Sequence, residues 1–494
     1  MGILDVLMYF VNPQFILFVF LGALTGLLVG AIPGLSVTMA TALLVSVTYT
    51  WHTSNALAMI MGVYVVGVFS GAVSAILINI PGAPSSVVTT LDGYPLAKQG
   101  KADTALKYAT VYSFVGSVFS FLLLWLMARP IAAITLRFTP MDYFLLALFG
   151  LATVGSLTAK SFSKGLISAA MGLIISMIGV DSVMGIPKLT FGIADLHSGV
   201  SIVPVLVGLF GLSEVLTVIA EGDSGQILKI KKEIVKTRDV LKHLGMSMYY
   251  CLIGTLIGAL PGAGGPVASF IAYSQATKLV KKPSVPFGEG AVEGIVASES
   301  ANNAVIGGAL IPLLTLAIPG DAVTAVILSV FYVHGLQPGP MFIKTNSAMF
   351  TAILAGGLIA CVFLLLLGLG LGPRLSRLIS IPKKILLPIV IVLCVIGSFA
   401  GNNRLFDVLL MFVFGLLGFF MRKYGYSIAS MTLAVVLGGM MDSNFRRAVS
   451  LAVSEENKLL ALFGRPISMV LLVVTVLTIV MNIPVVKNRR KREI

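Results

Sequence analysis

The chain reads as an all-α polytopic membrane protein of roughly a dozen transmembrane helices. They form two inverted repeats whose Pro/Gly-broken helices meet near the bilayer midplane. Composition is the first indication: 57% of the 494 residues are hydrophobic and only 11% charged, against about 25% charged in soluble domains. Mean hydropathy is +1.01, and the apolar runs are long and continuous, which favours helices over a barrel. The second is the stretch Gly258-Ala259-Leu260-Pro261-Gly262-Ala263-Gly264-Gly265-Pro266, two prolines and four glycines inside an apolar run. An interior Pro costs a helix about 3 kcal/mol and each Gly about 1, so the helix should break. The third is repetition. Gly26 and Gly30-Ala31-Ile32-Pro33-Gly34 recur 228 residues on as Gly254 and the Gly258 stretch, and Ile80-Pro81-Gly82 recurs 238 residues on as Ile318-Pro319-Gly320. Lipid cannot satisfy exposed backbone groups, so broken helices at membrane depth must be buried in protein or line a wet cavity. Paired breaks in two related halves point to the binding site of a secondary transporter.

The first span, Gln14 to Ile32, carries Gly22, Gly26 and Gly30 at a spacing that also suits close helix packing. After the break at Pro33-Gly34, Ser36 opens a shorter apolar segment. Ala56 to Ile80 ends at Asn79 and Pro81. The following Ser85, Ser86, Thr89, Thr90 and Asp92 form a hydroxyl-rich helix start, suited either to a carboxylate ligand or to ordinary N-capping. Pro95 to Lys107 reads as a basic cytoplasmic loop. Spans follow near Thr110 to Met127, Tyr143 to Leu157, Lys164 to Val180 and Ile202 to Ala220. His197 between them is assigned no chemistry.

Residues 1–220 thus form a first membrane repeat, 221–246 a basic cytoplasmic linker, 247–441 a second repeat, and 442–494 a last helix with a basic tail. In the second repeat Ser298, Glu299, Asn302 and Asn303 share one side of a helix. A Glu inside the membrane defaults to a functional role, an interfacial ion pair being the alternative. Asp321 and Thr324 follow Pro319-Gly320, where an acid caps the helix or helps hold a cation. The spans after Met349 read as scaffold. The tail Lys487 to Arg492 places the C-terminus in the cytoplasm.

The net charge of +14 follows the positive-inside distribution, so no nucleic-acid partner is expected. Cys251, Cys361 and Cys394 have no metal or disulfide spacing and read as packing. The N-terminus lacks a basic segment and a cleavage site, so no cleaved signal peptide is expected. No phosphate-binding loop, HExxH or GxSxG motif occurs, so the protein is read as neither an ATP-driven pump nor a hydrolase.

The motifs Ala31-Ile32-Pro33-Gly34-Leu35-Ser36, Asn79-Ile80-Pro81-Gly82, Leu91-Asp92-Gly93-Tyr94-Pro95-Leu96-Ala97-Lys98, Gly258 to Pro266 with Ala268-Ser269-Phe270, Gly290 to Asn303, Gly307 to Leu313, and Asp407 to Tyr426 occur in one order. Over roughly residues 14 to 450 the chain resembles the large membrane subunit of the tripartite tricarboxylate transporters, the TctA family. The resemblance implies a permease of the bacterial inner membrane that receives an organic carboxylate from a periplasmic solute-binding protein. It also implies a small four-helix membrane subunit as partner and a cation gradient as drive. Ala83 and Ala317 depart from the family's frequent Thr and Gly.

The expected substrate site comprises Pro33, Gly34, Ser36, Pro81, Gly82, Ser85, Ser86, Thr89, Pro261, Gly262, Gly264, Gly265, Ser269, Pro319, Gly320 and Thr324. Asn79, Glu299, Asn302, Asn303 and Asp321 are expected to hold the coupling ion, Na⁺ or H⁺, and no cofactor is expected. No Lys or Arg stands in the broken segments, so helix dipoles would carry much of the anion recognition. The competing class is a channel, or a carrier for another small solute working without a binding protein.

Overall fold

The computed structural model describes residues 3–32, 34–157, 162–181, 185–221, 236–371, 383–400, 402–453 and 455–482. Pro33, most of the basic linker and the C-terminal tail lie outside them. The first long helix, α1 (Pro13–Ala31), starts where Asn12 accepts a hydrogen bond from the Phe15 N–H at 3.1 Å, with Pro13 in the first turn. It stops at an extended Ile32, and Gly34 turns the chain at φ +89°. The chain restarts as α2 (Val37–Val47), capped by Ser36, whose Oγ accepts from the Met39 N–H. Next, α3 (Thr53–Ile78) ends on a left-handed Asn79, φ 58°, and a 3₁₀ turn over Pro84–Ser86 leads into α4 (Val87–Leu96).

The expected loop from Pro95 to Lys107 is mostly helical instead. Only a wide turn, Ala97–Lys101, separates α4 from α5 (Ala102–Thr135), with Gly100 at φ +87° supplying the reversal. Polarity misled here because a helix end and a helix start on the protein surface are as polar as a loop. Three further helices, α6 (Pro140–Leu157), α7 (Phe162–Ser176) and α8 (Ile202–Ala220), complete the half. A two-residue antiparallel hairpin, Gly179–Val180 with Pro187–Lys188, lies between α7 and α8. The described end of the linker, Thr237–Leu241, docks on α5, where Tyr108 donates to the Asp239 carbonyl at 3.0 Å.

The second half repeats the order. Between α9 (Leu244–Gly258) and α10 (Gly264–Leu279) the break carries Gly262 at φ +74° and Gly264 at φ +59°. Then α11 (Val292–Leu316) ends on a left-handed Ala317, φ 57°, the counterpart of Asn79. A β-carbon in this region is disfavoured by roughly 1–2 kcal/mol. The turn holds because the Ala317 and Ile318 N–H groups donate to Leu313 and Pro312. After the break, α12 (Ala322–Val333) starts on a capping box in which Asp321 and Thr324 exchange hydrogen bonds. The remaining helices are α13 (Ser347–Leu371), α14 (Lys383–Ala400), α15 (Leu405–Tyr424), α16 (Ile428–Val453) and α17 (Pro466–Asn482).

Packing repeats with the motif. A Cβ on Gly26 would lie 2.6 Å from the Val63 carbonyl oxygen, and one on Gly254 would lie 2.2 Å from that of Ala301. At the breaks, Gly82 and Gly320 would each place a Cβ 2.3 Å from a carbonyl oxygen, those of Gly30 and Gly258. The small residues therefore do more than free the backbone: they let each hairpin press onto the long helix that follows it. Seven helices among the described residues are long and apolar enough to cross a membrane, and seven further apolar helices have only 10–17 residues. The short ones include α2, α9 and α12, which abut the breaks. Roughly a dozen spans were expected; among the described residues full-length and half-length apolar helices are mixed.

Candidate functional site

Four helix starts meet at one cavity of about 520 Å³. Its walls include Ser36 and Val37 at the head of α2, Pro84 and Ser85 before α4, Gly264 and Gly265 at the head of α10, and Ala322 and Val323 at the head of α12. Each start leaves N–H groups without an intrahelical acceptor, and each carries the positive end of a helix dipole. The breaks converge because they are tied to one another, for instance by the Gly262 N–H donating to the Gly320 carbonyl at 2.7 Å. A second cavity of the same volume, lined by residues such as Thr139, Leu451 and Glu456, touches none of the expected site residues.

Of the expected substrate residues, Ser36, Gly82, Ser85, Gly262, Gly264, Gly265 and Pro319 line the convergent cavity. Pro33 lies outside the described residues. Gly34, Pro81, Pro261 and Gly320 shape the breaks without lining the cavity. Ser269 is spent on its own helix, its hydroxyl donating to the Gly265 carbonyl at 2.8 Å, and Thr324 is spent on the capping box. Ser86, which follows the Pro81-Gly82 break, is buried, and its Oγ has no hydrogen-bond partner.

The coupling-ion set divides. Asn302 faces the cavity with neither polar side-chain atom hydrogen-bonded, though the residue is buried. Leaving such atoms unmade costs on the order of 1–3 kcal/mol each, so the amide is held ready for a ligand or water. Asp321 also lines the cavity, but one oxygen caps Thr324 at 2.8 Å and the other accepts from the Tyr64 hydroxyl at 2.7 Å. Tyr64 precedes Asn302 by 238 residues, so the two occupy equivalent places in the repeats. The partner of Tyr64 is Asp321, whereas the equivalent of Asp321 in the first repeat is Ala83, which has no polar side chain. Asn79 is exposed and away from the cavity.

Glu299 and Asn303 lie on the other side of α11, and the expected single cluster with Ser298 and Asn302 does not form. The carboxylate accepts from the Thr89 hydroxyl, from Ser113 Oγ at 2.9 Å and from Asn303 Nδ2 at 3.3 Å. It is fully buried, and among the described residues no Lys, Arg or His pairs with it. Ser113 reaches it because α5 crosses α11 closely at Gly116, where a Cβ would fall 2.4 Å from the Ser300 carbonyl oxygen. Thr89, expected at the substrate, thus serves Glu299, and Asn303 Oδ1 remains without a partner. Ser298 bonds the carbonyls of its own preceding turn.

Asp92 anchors this arrangement. Its Oδ1 accepts from the N–H groups of Gly288, Gly290 and Ala291 at 2.8, 3.0 and 2.9 Å, and its Oδ2 accepts from the Tyr273 hydroxyl at 2.9 Å. Gly288 and Gly290 supply the left-handed turns, φ +90° and +110°, that aim three amides at one oxygen. The carboxylate thereby fixes the start of α11, which carries Glu299, Asn302 and Asn303.

Sequence reasoning missed four participants. Tyr64 and Ser113 stand in apolar helices with no local sign of a role, though the 238-residue offset from Tyr64 to Asn302 was available. Glu214 and Arg422 line the cavity from α8 and α15, paired Nη2 to Oε2 at 2.7 Å. Arg422 comes from a span read as scaffold, and it brings a cation to a cavity where none was expected. Among the described residues no group of three or more His, Cys, Asp and Glu side chains is placed to hold a metal ion. A cation here would draw on hydroxyl, amide and carbonyl oxygens beside the isolated carboxylates of Asp321 and Glu214.

No solved structure matches the chain. An uncharacterised 52.8 kDa protein in the TAR-I ttuC′ 3′ region of Agrobacterium vitis is 34% identical over 485 residues, covering 97% of this chain and 96% of that protein. An uncharacterised protein in the TAR-II ttuC′ 3′ region of the same organism is 39% identical over 196 residues, 40% of this chain and 81% of that protein. The model of the tripartite tricarboxylate transporter TctA family matches residues 16–433, and the chain belongs to that family.

Proposed function

We propose that the chain is the permease subunit of a binding-protein-dependent, cation-gradient-driven secondary transporter that imports organic carboxylates, citrate-like tri- or dicarboxylates. The observation that carries the reading is the convergence of four helix N-termini on one cavity, with the unbonded amide of Asn302 in its wall. Carboxylates would sit against the N–H groups at Ser36, Ser85 and Gly264–Gly265, whose partial positive charge suits them. The walls contribute two carboxylates, Asp321 and Glu214, against one guanidinium, Arg422. A multiply charged anion would therefore enter an environment already short of positive charge, which gives co-transport of Na⁺ or H⁺ a physical reason. Asn302 would meet the ion in the cavity, and Glu299, with Asn303 beside it, would take up charge or a proton behind the wall.

The two halves would be inverted relative to each other, and a transport domain would move against a scaffold in an elevator-like step that rests on fold-level analogy. A periplasmic solute-binding protein would deliver the substrate and a small four-helix subunit would complete the complex, in the bacterial inner membrane with the C-terminus in the cytoplasm. The test is uptake of labelled citrate and succinate into proteoliposomes holding the complex, with binding protein added and a Na⁺ or H⁺ gradient imposed. Saturable uptake that needs the binding protein and follows one ion is expected. Non-saturating flux that ignores gradient and binding protein would establish the channel instead.

A further inference from the structure

We propose that Arg422 is the carboxylate-recognising cation of the cavity and that Glu214 holds its place until substrate arrives, an inference that rests on the carboxylate-transport reading above. Among the described residues lining the cavity, Arg422 is the one Lys or Arg. Its Nη2 donates to Glu214 Oε2 at 2.7 Å, while its Nε is buried without a hydrogen-bond partner. Nε and Nη2 share one edge of the guanidinium, the edge that binds a carboxylate through two parallel hydrogen bonds. Glu214 takes the Nη2 half of that edge, which leaves Arg422 Nε as a donor to spare. The pair thus leaves one buried donor of Arg422 unmade, which a carboxylate ligand can fill.

The framework presents the pair to the cavity. Close approach of α8 and α15 is set by small residues: a Cβ on Gly208 would lie 2.6 Å from the Met411 carbonyl oxygen, and one on Gly418 would lie 2.8 Å from Ser213 Cβ. Just before Glu214, α8 contains a wide π-type turn, Val207–Leu212, a feature that shifts helical register and recurs at functional sites. Arg422 lies in the last turn of α15 and lines the same cavity as Asn302. A substrate carboxylate that takes both Nε and Nη2 displaces Glu214. The fork thereby favours a planar carboxylate, and Lys cannot reproduce it.

The experiment measures citrate and succinate uptake by the reconstituted complex for wild type, Arg422→Lys, Glu214→Gln, and the charge exchange Arg422→Glu with Glu214→Arg, each checked for folding by gel filtration and thermal unfolding. Arg422→Lys is expected to raise KM at least tenfold with a smaller change in maximal rate. Glu214→Gln, which removes the internal competitor, is expected to lower KM several-fold. The exchanged pair restores the ion pair and folds, but is expected to take up neither anion. Uptake by the exchanged protein at wild-type level, or an unchanged KM in both single variants, overturns the proposal and leaves the transport reading standing. Wild-type protein that takes up no carboxylate under either gradient overturns both. If Arg422→Lys fails to fold, the direction of the KM change in Glu214→Gln decides.

Discussion

Replacing Asp92 by Ala removes the acceptor of three backbone N–H groups and of the Tyr273 hydroxyl at once. The side chain is 1% exposed, so water does not readily take its place. The N–H groups of Gly290 and Ala291 are buried and that of Gly288 is partly so. At about 1–3 kcal/mol for each buried donor left unmade, two such groups give about 2–6 kcal/mol, and Gly288 adds a smaller amount. Asp92→Asn keeps an oxygen facing the three amides, and its own amide can donate to Tyr273, so it loses mainly the charge and should cost about 1–3 kcal/mol. The assay is denaturant unfolding of the detergent-solubilised protein followed by tryptophan fluorescence, with the slope compared between variants. The order wild type, Asn, Ala is expected, with Ala the largest loss by at least 1 kcal/mol. Asp92→Ala within about 1 kcal/mol of wild type, or Asn worse than Ala, would refute the claim that this carboxylate organises the start of α11.

Gly82→Ala and Gly320→Ala each drive a Cβ into a backbone carbonyl 2.3 Å away. Overpacking against an atom that cannot rotate aside should cost about 1–3 kcal/mol each, read as lowered thermal stability and loss of uptake at both repeats alike. Glu299→Gln keeps the shape and most of the hydrogen bonds to Thr89, Ser113 and Asn303. It should insert normally yet lose gradient-driven uptake, and normal transport by this variant would remove Glu299 from the mechanism. Tyr64→Phe deletes one hydrogen bond to the Asp321 carboxylate. It should cost about 1.5–3 kcal/mol and weaken the dependence of uptake on the coupling ion, measured as uptake rate against Na⁺ or H⁺ concentration.

The broken helices were legible because paired Pro and Gly act locally: helices stop just before Pro81-Gly82 and Pro319-Gly320, while the lone Pro130, Pro312 and Pro388 are accommodated inside helices, and the register between the copies survived in the sequence. A meeting of the breaks was expected, and Ser36, Ser85 and Gly264 do line one cavity, whereas Thr89, Ser269 and Thr324 of the same expected set are spent on other hydrogen bonds. What was not legible depended on which way a helix turns its side chains. Asn302 and Asn303 are adjacent, yet one faces the cavity and the other faces Ser113, because the approach of α5 at Gly116 fixes the rotation of α11. Arg422 was passed over for a similar reason. A cation one turn from a helix end ordinarily reads as a topological marker, and only the packing of α8 on α15 turns it toward the site.

The most direct test of the central claim, that substrate occupies the cavity where the breaks meet, is thiol protection. Ser85→Cys places a thiol in the wall, and Thr277→Cys on the exposed end of α10 serves as control, while the native Cys251, Cys361 and Cys394 are buried. Labelling by a charged thiol reagent would be measured with and without whichever carboxylate the uptake assay identifies. Protection at position 85 with unchanged labelling at position 277 is the expected result. Equal labelling of position 85 with and without a carboxylate that the same preparation transports would contradict the account.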